Sequence, residues 1–327
     1  MDLKNLAVGI VFLLQSIVGI LGNFSLLSYY LIHYYIGHKL KTKDLILTHL
    51  LTANSLIIVS KGVLETIQAF GLKWFISDFG CKLLLYIQRL GRSMSIGTIG
   101  FLSVYQAITI SPRDSCWKDL KIKAAKYIGL SISLCWILYM IINMIFPVYL
   151  YIKEDSKNLT HKRDLKYCST VGYNEVTGLL YIALIVFPEV LLSVIIAWTG
   201  GSMVVILYRH KQRVQHIHSA HVSTRASPES RATQSILVLM FTFLAFYALS
   251  SILQGWNALV YNSEWWLMNI TAIISVCFPT LGPFIMRHNA IVENSYTFSC
   301  DKPQPPITSP TVTRYYQILE LCLKVWG

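Results

Sequence analysis

Residues 233–260 read TQSILVLMFTFLAFYALSSILQGWNALV, without one charged side chain from end to end. A helix needs about 20 mostly apolar residues to cross the hydrocarbon core of a bilayer, because lipid offers unpaired backbone groups no partner. This run is long enough, and six more flank it, at 6–34, 44–70, 82–110, 125–149, 179–208 and 265–286. The runs at 44–70 and 82–110 are the least apolar, since they carry Lys61, Glu65, Arg89 and Arg92. The pattern predicts an all-α membrane protein, a seven-transmembrane-helix bundle.

Composition points the same way. In a chain of 327 residues, 54% are hydrophobic and 13% charged, and the mean hydropathy is +0.52, too few solvated groups to coat a soluble globule of this size. The net charge of +12 does not imply nucleic acid, which needs Lys and Arg gathered on one water-facing surface. Here they fill the gaps between apolar runs. The first run follows Lys4, as a signal peptide would, but it outruns the usual h-region and lacks a small-residue cleavage site, so it reads as a retained helix.

Orientation follows from the alternation of Lys and Arg between loops. With the N-terminus extracellular, the cytoplasmic loops and tail hold seventeen of them and the outer segments seven. Asn158-Leu159-Thr160 is then a glycosylation sequon on an outer loop, whereas Asn23 and Asn269 head sequons within or near helices. Cys81 and Cys168 share that outer, oxidising face, as a disulfide or as two separate thiols. The chain is expected at the plasma membrane as a multi-pass protein with a cytoplasmic C-terminus.

Ionisable groups within a bilayer call for partners. Lys61 and Glu65 stand one turn apart on the second helix, where they can pair, and Arg89 and Arg92 lie towards the outer end of the third. A pocket in the outer half of the bundle is expected from Gln88, Arg89, Arg92, Lys61 and Glu65, walled by aromatics such as Tyr86, Trp256 and Tyr261, with Glu189 beside Pro188 as a weaker candidate. An excess of Arg over Glu favours an anionic or strongly hydrogen-bond-accepting small molecule. The rival reading of the same charges is a set of interhelical ion pairs without a ligand. No metal or cofactor is expected. The histidines at 210, 216, 218 and 221 are irregularly spaced and read as a solvated loop, and no P-loop, nucleophile elbow or dinucleotide fingerprint points to an enzyme.

Several local motifs add a family resemblance. They are AITISP at 107–112, RHKQRVQHIH at 209–218, SPESRATQSIL at 227–237 and CFPTL at 277–281. With Gly22-Asn23, Asn54, Trp136, Pro147 and Pro188 in their helices, the chain resembles the vomeronasal type 1 receptors, a pheromone-receptor family of rhodopsin-like G-protein-coupled receptors. The resemblance runs to about residue 288. It implies a Cys81–Cys168 disulfide, a small pheromone-like ligand from outside, and an inhibitory-class heterotrimeric G protein inside. By the same analogy Tyr105, Gln106, Arg209, Lys211 and Arg213 face that G protein.

Departures from the wider rhodopsin-like pattern are plain. Gln106 stands where an Arg would close the third helix, Gly282-Pro283 replaces Asn-Pro, and Asn54 replaces an aspartate, so neither an arginine switch nor a buried sodium site is assumed. Residues 1–288 read as the receptor domain. Residues 289–327 read as an atypical cytoplasmic tail whose prolines, Pro303, Pro305, Pro306 and Pro310, predict a disordered linker. The alternatives are a small transporter or channel using the Lys61, Glu65, Arg89 and Arg92 cluster, and a receptor relic that no longer signals. A bitter-taste-type receptor fits the third inner loop and the Cys81 and Cys168 positions less well.

Overall fold

The computed structural model describes residues 3–37, 40–71, 78–111, 115–154, 162–165, 168–171, 182–217, 228–259 and 265–300. For short stretches within these, among them 145–154, the strand pair and 288–300, it gives the backbone alone. Seven helices follow one another: α1 (Leu3–Tyr35), α2 (Thr42–Ala69), α3 (Asp78–Ile110), α4 (Ser115–Glu154), α5 (Phe187–Ile217), α6 (Pro228–Leu259) and α7 (Trp265–Cys300). Each contains a stretch long and apolar enough to cross a membrane. Between α4 and α5 the antiparallel strands β1 (Lys162–Leu165) and β2 (Cys168–Val171) pair, and β2 touches α3 and α4. That hairpin lies in the connection between α4 and α5, where the sequence suggested no strand.

The two least apolar spans turn out to be the most interior. About 67% of the α2 window and 61% of the α3 window are buried inside the bundle, against 17% for α4 and for α5. A helix that faces protein on most sides need not be greasy all round, which is why hydropathy alone underrates it. The core gathers Leu50, Leu51, Met94, Ile99, Ile132 and Phe243, among others. On α4 and α5 the side chains Leu134, Ile141, Val194 and Trp198 point away from that core and are exposed, as a lipid-facing surface requires.

Small residues set the tightest approaches. A Cβ on Gly91 of α3 would stand 2.9 Å from the Ala53 carbonyl oxygen and 2.9 Å from Ile57 Cγ1 of α2. Within α2, residues Ile58–Gly62 form a π-helical turn; a Cβ on Gly62 would collide with Ser16 Oγ of α1. In α7, Pro283 has no N–H to give the carbonyl four residues earlier. That carbonyl, on Pro279, instead accepts a hydrogen bond from Asn23 Nδ2 of α1 at 2.9 Å.

Helix ends depart from the sequence reading. The fifth run, read from residue 179, is described from Ile182, where a π-helical turn at Ile182–Val186 leads directly into α5. The seventh was ended at 286, but α7 continues to Cys300. The chain divides into two compact units, Met1–Asn289 and Ala290–Gly327. The first holds the bundle. In the second, residues 290–300 complete α7, and the proline-rich stretch lies outside the described residues.

Candidate ligand site

An arginine within a bilayer is expensive, and Arg92 meets that cost by reaching from α3 to α6. Its Nη1 donates to Ser250 Oγ at 3.1 Å and its Nη2 to Ser251 Oγ at 2.6 Å. The guanidinium carbon lies 4.2 Å from the ring centroid of Tyr247, a cation–π distance. Adjacent serines can serve one guanidinium because each is anchored to its own helix: both hydroxyls also donate to the Tyr247 carbonyl, at 3.0 and 2.8 Å. Beside Arg92 is a cavity of about 30 Å³, lined also by Ser95, Tyr247, Ser250, Ser275 and Phe278. That is room for one or two waters.

Other expected site residues fall into place around this pairing. Lys61 sits in the π-helical turn of α2 and is 8% exposed; the Glu65 carboxylate attracts it and the Arg92 guanidinium repels it. Glu189, near the start of α5, faces the Tyr247 hydroxyl together with Arg92. That hydroxyl is buried, with Glu189 and Arg92 as its polar neighbours. Gln88 is half-buried, whereas Arg89 is exposed on α3.

The aromatic walls differ from those expected. Tyr86 turns to α4, where its hydroxyl donates to the Met140 carbonyl at 3.2 Å. Trp256 is 59% exposed, and Tyr261 lies outside the described residues. The walls of the cavity are instead Phe243, Phe246, Tyr247 and Phe278. Sequence reasoning missed Tyr247, Ser250 and Ser251, although Ser250-Ser251 inside an otherwise apolar span was a usable signal. It also missed a second polar tie, in which Trp136 Nε1 of α4 donates to His49 Nδ1 of α2 at 3.2 Å.

Cys81 is buried, disulfide-bonded and packed with Leu64, Leu84 and Leu85. Its expected partner Cys168 begins β2, but the Cys168 side chain lies outside the described residues, as does Asn158. At the inner end Gln106 is 7% exposed, Tyr105 packs against the core and Arg209 is exposed. The side chains of Lys211 and Arg213 are outside the described residues. Ser95 Oγ donates to Asn54 Oδ1 at 3.2 Å, so Asn54 is held by a hydroxyl.

Seven apolar helices pack around a buried polar cluster, and a disulfide-bonded cysteine stands near the start of α3, the arrangement of a seven-helix membrane receptor. The family model described as the vomeronasal organ pheromone receptor family matches residues 6–295, and the chain belongs to that family. Homo sapiens vomeronasal type-1 receptor 2 is 51% identical over 274 residues, 84% of this chain and 69% of that receptor. Homo sapiens vomeronasal type-1 receptor 4 is 49% identical over 283 residues, 86% and 94% of the two chains. Homo sapiens vomeronasal type-1 receptor 3 is 44% identical over 306 residues, 93% and 98%. The family match therefore extends past residue 288, where the motif resemblance was read to end.

Proposed function

We infer that the protein is a chemosensory receptor of the plasma membrane, with an extracellular N-terminus and a cytoplasmic C-terminus. It binds a small pheromone-like molecule from outside and signals through an inhibitory-class heterotrimeric G protein. The observation that carries this reading is the Arg92 fork onto Ser250 and Ser251, beside a cavity lined by α2, α3, α6 and α7. The ligand site comprises Arg92 with Lys61, Glu65, Gln88 and Glu189, and Arg89 stands at its margin. A Cys81–Cys168 disulfide pins the outer loop over it, and Asn158 carries a glycan.

A ligand shifts the receptor only if it binds one arrangement better than another. In the arrangement described here the cavity admits one or two waters, and Gln106 is buried. Activation therefore parts the inner helix ends, bringing Tyr105, Gln106, Arg209, Lys211 and Arg213 against the G protein, whose encounter the basic residues speed.

The test is to express the full chain with a reporter of inhibitory-class G-protein activation and screen small odorants against the parent and Arg92→Ala. Responses that Arg92→Ala abolishes at equal surface delivery are the expected result. Silence of a receptor delivered to the surface, or ion currents or solute uptake without G-protein activation, overturns the reading.

A further inference from the structure

We propose that the outward face of α4, at its cytoplasmic end, holds an anionic glycerophospholipid of the inner leaflet, its headgroup on Lys123 and Lys126 and an acyl chain along Leu130, Leu134 and Ile137. The site lies outside the bundle and apart from the ligand cluster. Which leaflet supplies the lipid rests on the orientation proposed above; the surface itself does not.

Three lysines close together in α4 have two fates. Lys121 Nζ donates to the Ser111 carbonyl at 3.2 Å, tying the start of α4 to the end of α3. At about 3.6 residues per turn Lys123 falls on the opposite side of the helix, and Lys126 follows it by nearly one turn. Both are exposed, and neither makes an ion pair or hydrogen bond among the described residues. The Lys126 ammonium lies 5.4 Å from the centroid of the Tyr127 ring, a cation–π contact that leaves its N–H donors open to an oxygen. Asp119 is the sole carboxylate from 119 to 143; it is exposed and makes no ion pair with either lysine among the described residues. The face therefore keeps a positive charge.

Beyond the lysines the same face is apolar. Tyr127, Leu130, Leu134, Ile137 and Ile141 are each more than half exposed, at the three- and four-residue steps that keep to one side of a helix, while Ile128, Ile132 and Tyr139 turn to the core. From Tyr127 to Ile137 the helix rises about 15 Å, half of a hydrocarbon core of about 30 Å. Cations, ring and apolar ladder thus follow the order of headgroup, ester region and chain in one leaflet. A soluble anion could meet the lysines but has nothing to lay on the ladder. Charge complementarity selects an anionic lipid over a zwitterionic one, by about fivefold for each lysine near the headgroups. Among the described residues no other helix end turns two unpaired cations outwards; α5 presents Arg209 alone.

The experiment titrates the purified full-length protein in detergent with dioleoyl phosphatidylserine or dioleoyl phosphatidylcholine and counts retained lipids by native mass spectrometry. Phosphatidylserine should be held about twentyfold more tightly, the product of two lysines. Lys123→Gln combined with Lys126→Gln should remove that preference, Lys123→Arg combined with Lys126→Arg should keep it, and Arg209→Gln should leave it unchanged. A phosphatidylserine with a diazirine in its acyl chain should label peptides within 127–141. Equal retention of the two lipids, a preference that survives the double Gln variant, an equal loss in Arg209→Gln, competition by soluble glycerophosphoserine, or labelling confined to other helices overturns the assignment. None of these readouts uses an odorant, a G protein or an oriented membrane, so failure here leaves the receptor reading standing, and failure of that reading leaves this site standing.

Discussion

Helices α2 and α3 and helices α4 and α5 cross the same membrane under opposite rules. The first pair is mostly enclosed by protein, carries Lys61, Asn54 and Arg92, and approaches at Gly91 so closely that a methyl group has no room. The second pair turns Leu134, Ile141, Val194 and Trp198 outwards. Lipid tails are as apolar as leucine, so moving a side chain from lipid to protein gains little hydrophobic free energy, and association rests on packing and polar ties. Stability should therefore reside where helices touch and be nearly absent where they meet only lipid.

The strongest way to break that contrast is Gly91→Val. Its first added carbon would stand 2.9 Å from both the Ala53 carbonyl oxygen and Ile57, so α2 and α3 must separate. The expected cost is about 3 kcal/mol, at the upper end of overpacking, seen as a large fall in thermal stability and loss of surface delivery. Next comes Ile132→Ala on α4, a residue of 0% exposure on that helix's inner face. It should cost about 2 kcal/mol, from the unfilled space and lost contacts, read as a lower unfolding temperature in nanodiscs.

This contrast also explains what could be read from the sequence. Seven crossings were legible because each contains an apolar stretch long enough to span a membrane, and Lys61 and Arg92 stood out because charge is rare there. The partners of Arg92 were harder to read: the Ser250-Ser251 pair hints at a polar point in an apolar span, but which cation it serves, and the part of Tyr247, follow only from α6 packing against α3. Tyr86 and Trp256 were expected as walls because aromatic residues near an outer end suggest a pocket, yet one turns to α4 and the other outwards. The π-helical turn at Ile58–Gly62 has no sequence signal of its own, and neither does the close approach of Ser16 to Gly62. Bundle and cationic anchor were thus local properties of the chain, whereas cavity and partners were properties of helix pairing.

A smaller effect is expected at Asn23, where a polar tie rather than shape joins α1 to α7. Asn23→Ala removes the donor that serves the Pro279 carbonyl, which Pro283 leaves without its helical partner. It also removes the Asn23 Oδ1 atom, itself buried without a hydrogen-bond partner among the described residues, so the two consequences oppose each other. The net loss should be about 1 kcal/mol, measurable as a modest drop in unfolding temperature.

The smallest effect sharpens the comparison most, because it compares two positions on one helix. Leu134 is two residues beyond Ile132 on α4 and is 57% exposed. In water such a leucine would be a liability and its removal mildly favourable; in a bilayer its neighbours are acyl chains that close over the missing methyl groups. Leu134→Ala should therefore shift stability by less than about 0.5 kcal/mol, against about 2 kcal/mol for Ile132→Ala. Unfolding temperatures of the two variants measured side by side in the same lipid decide the matter. Equal losses would mean that α4 presents Leu134 to another protein surface, and the assignment of that face to lipid would fall.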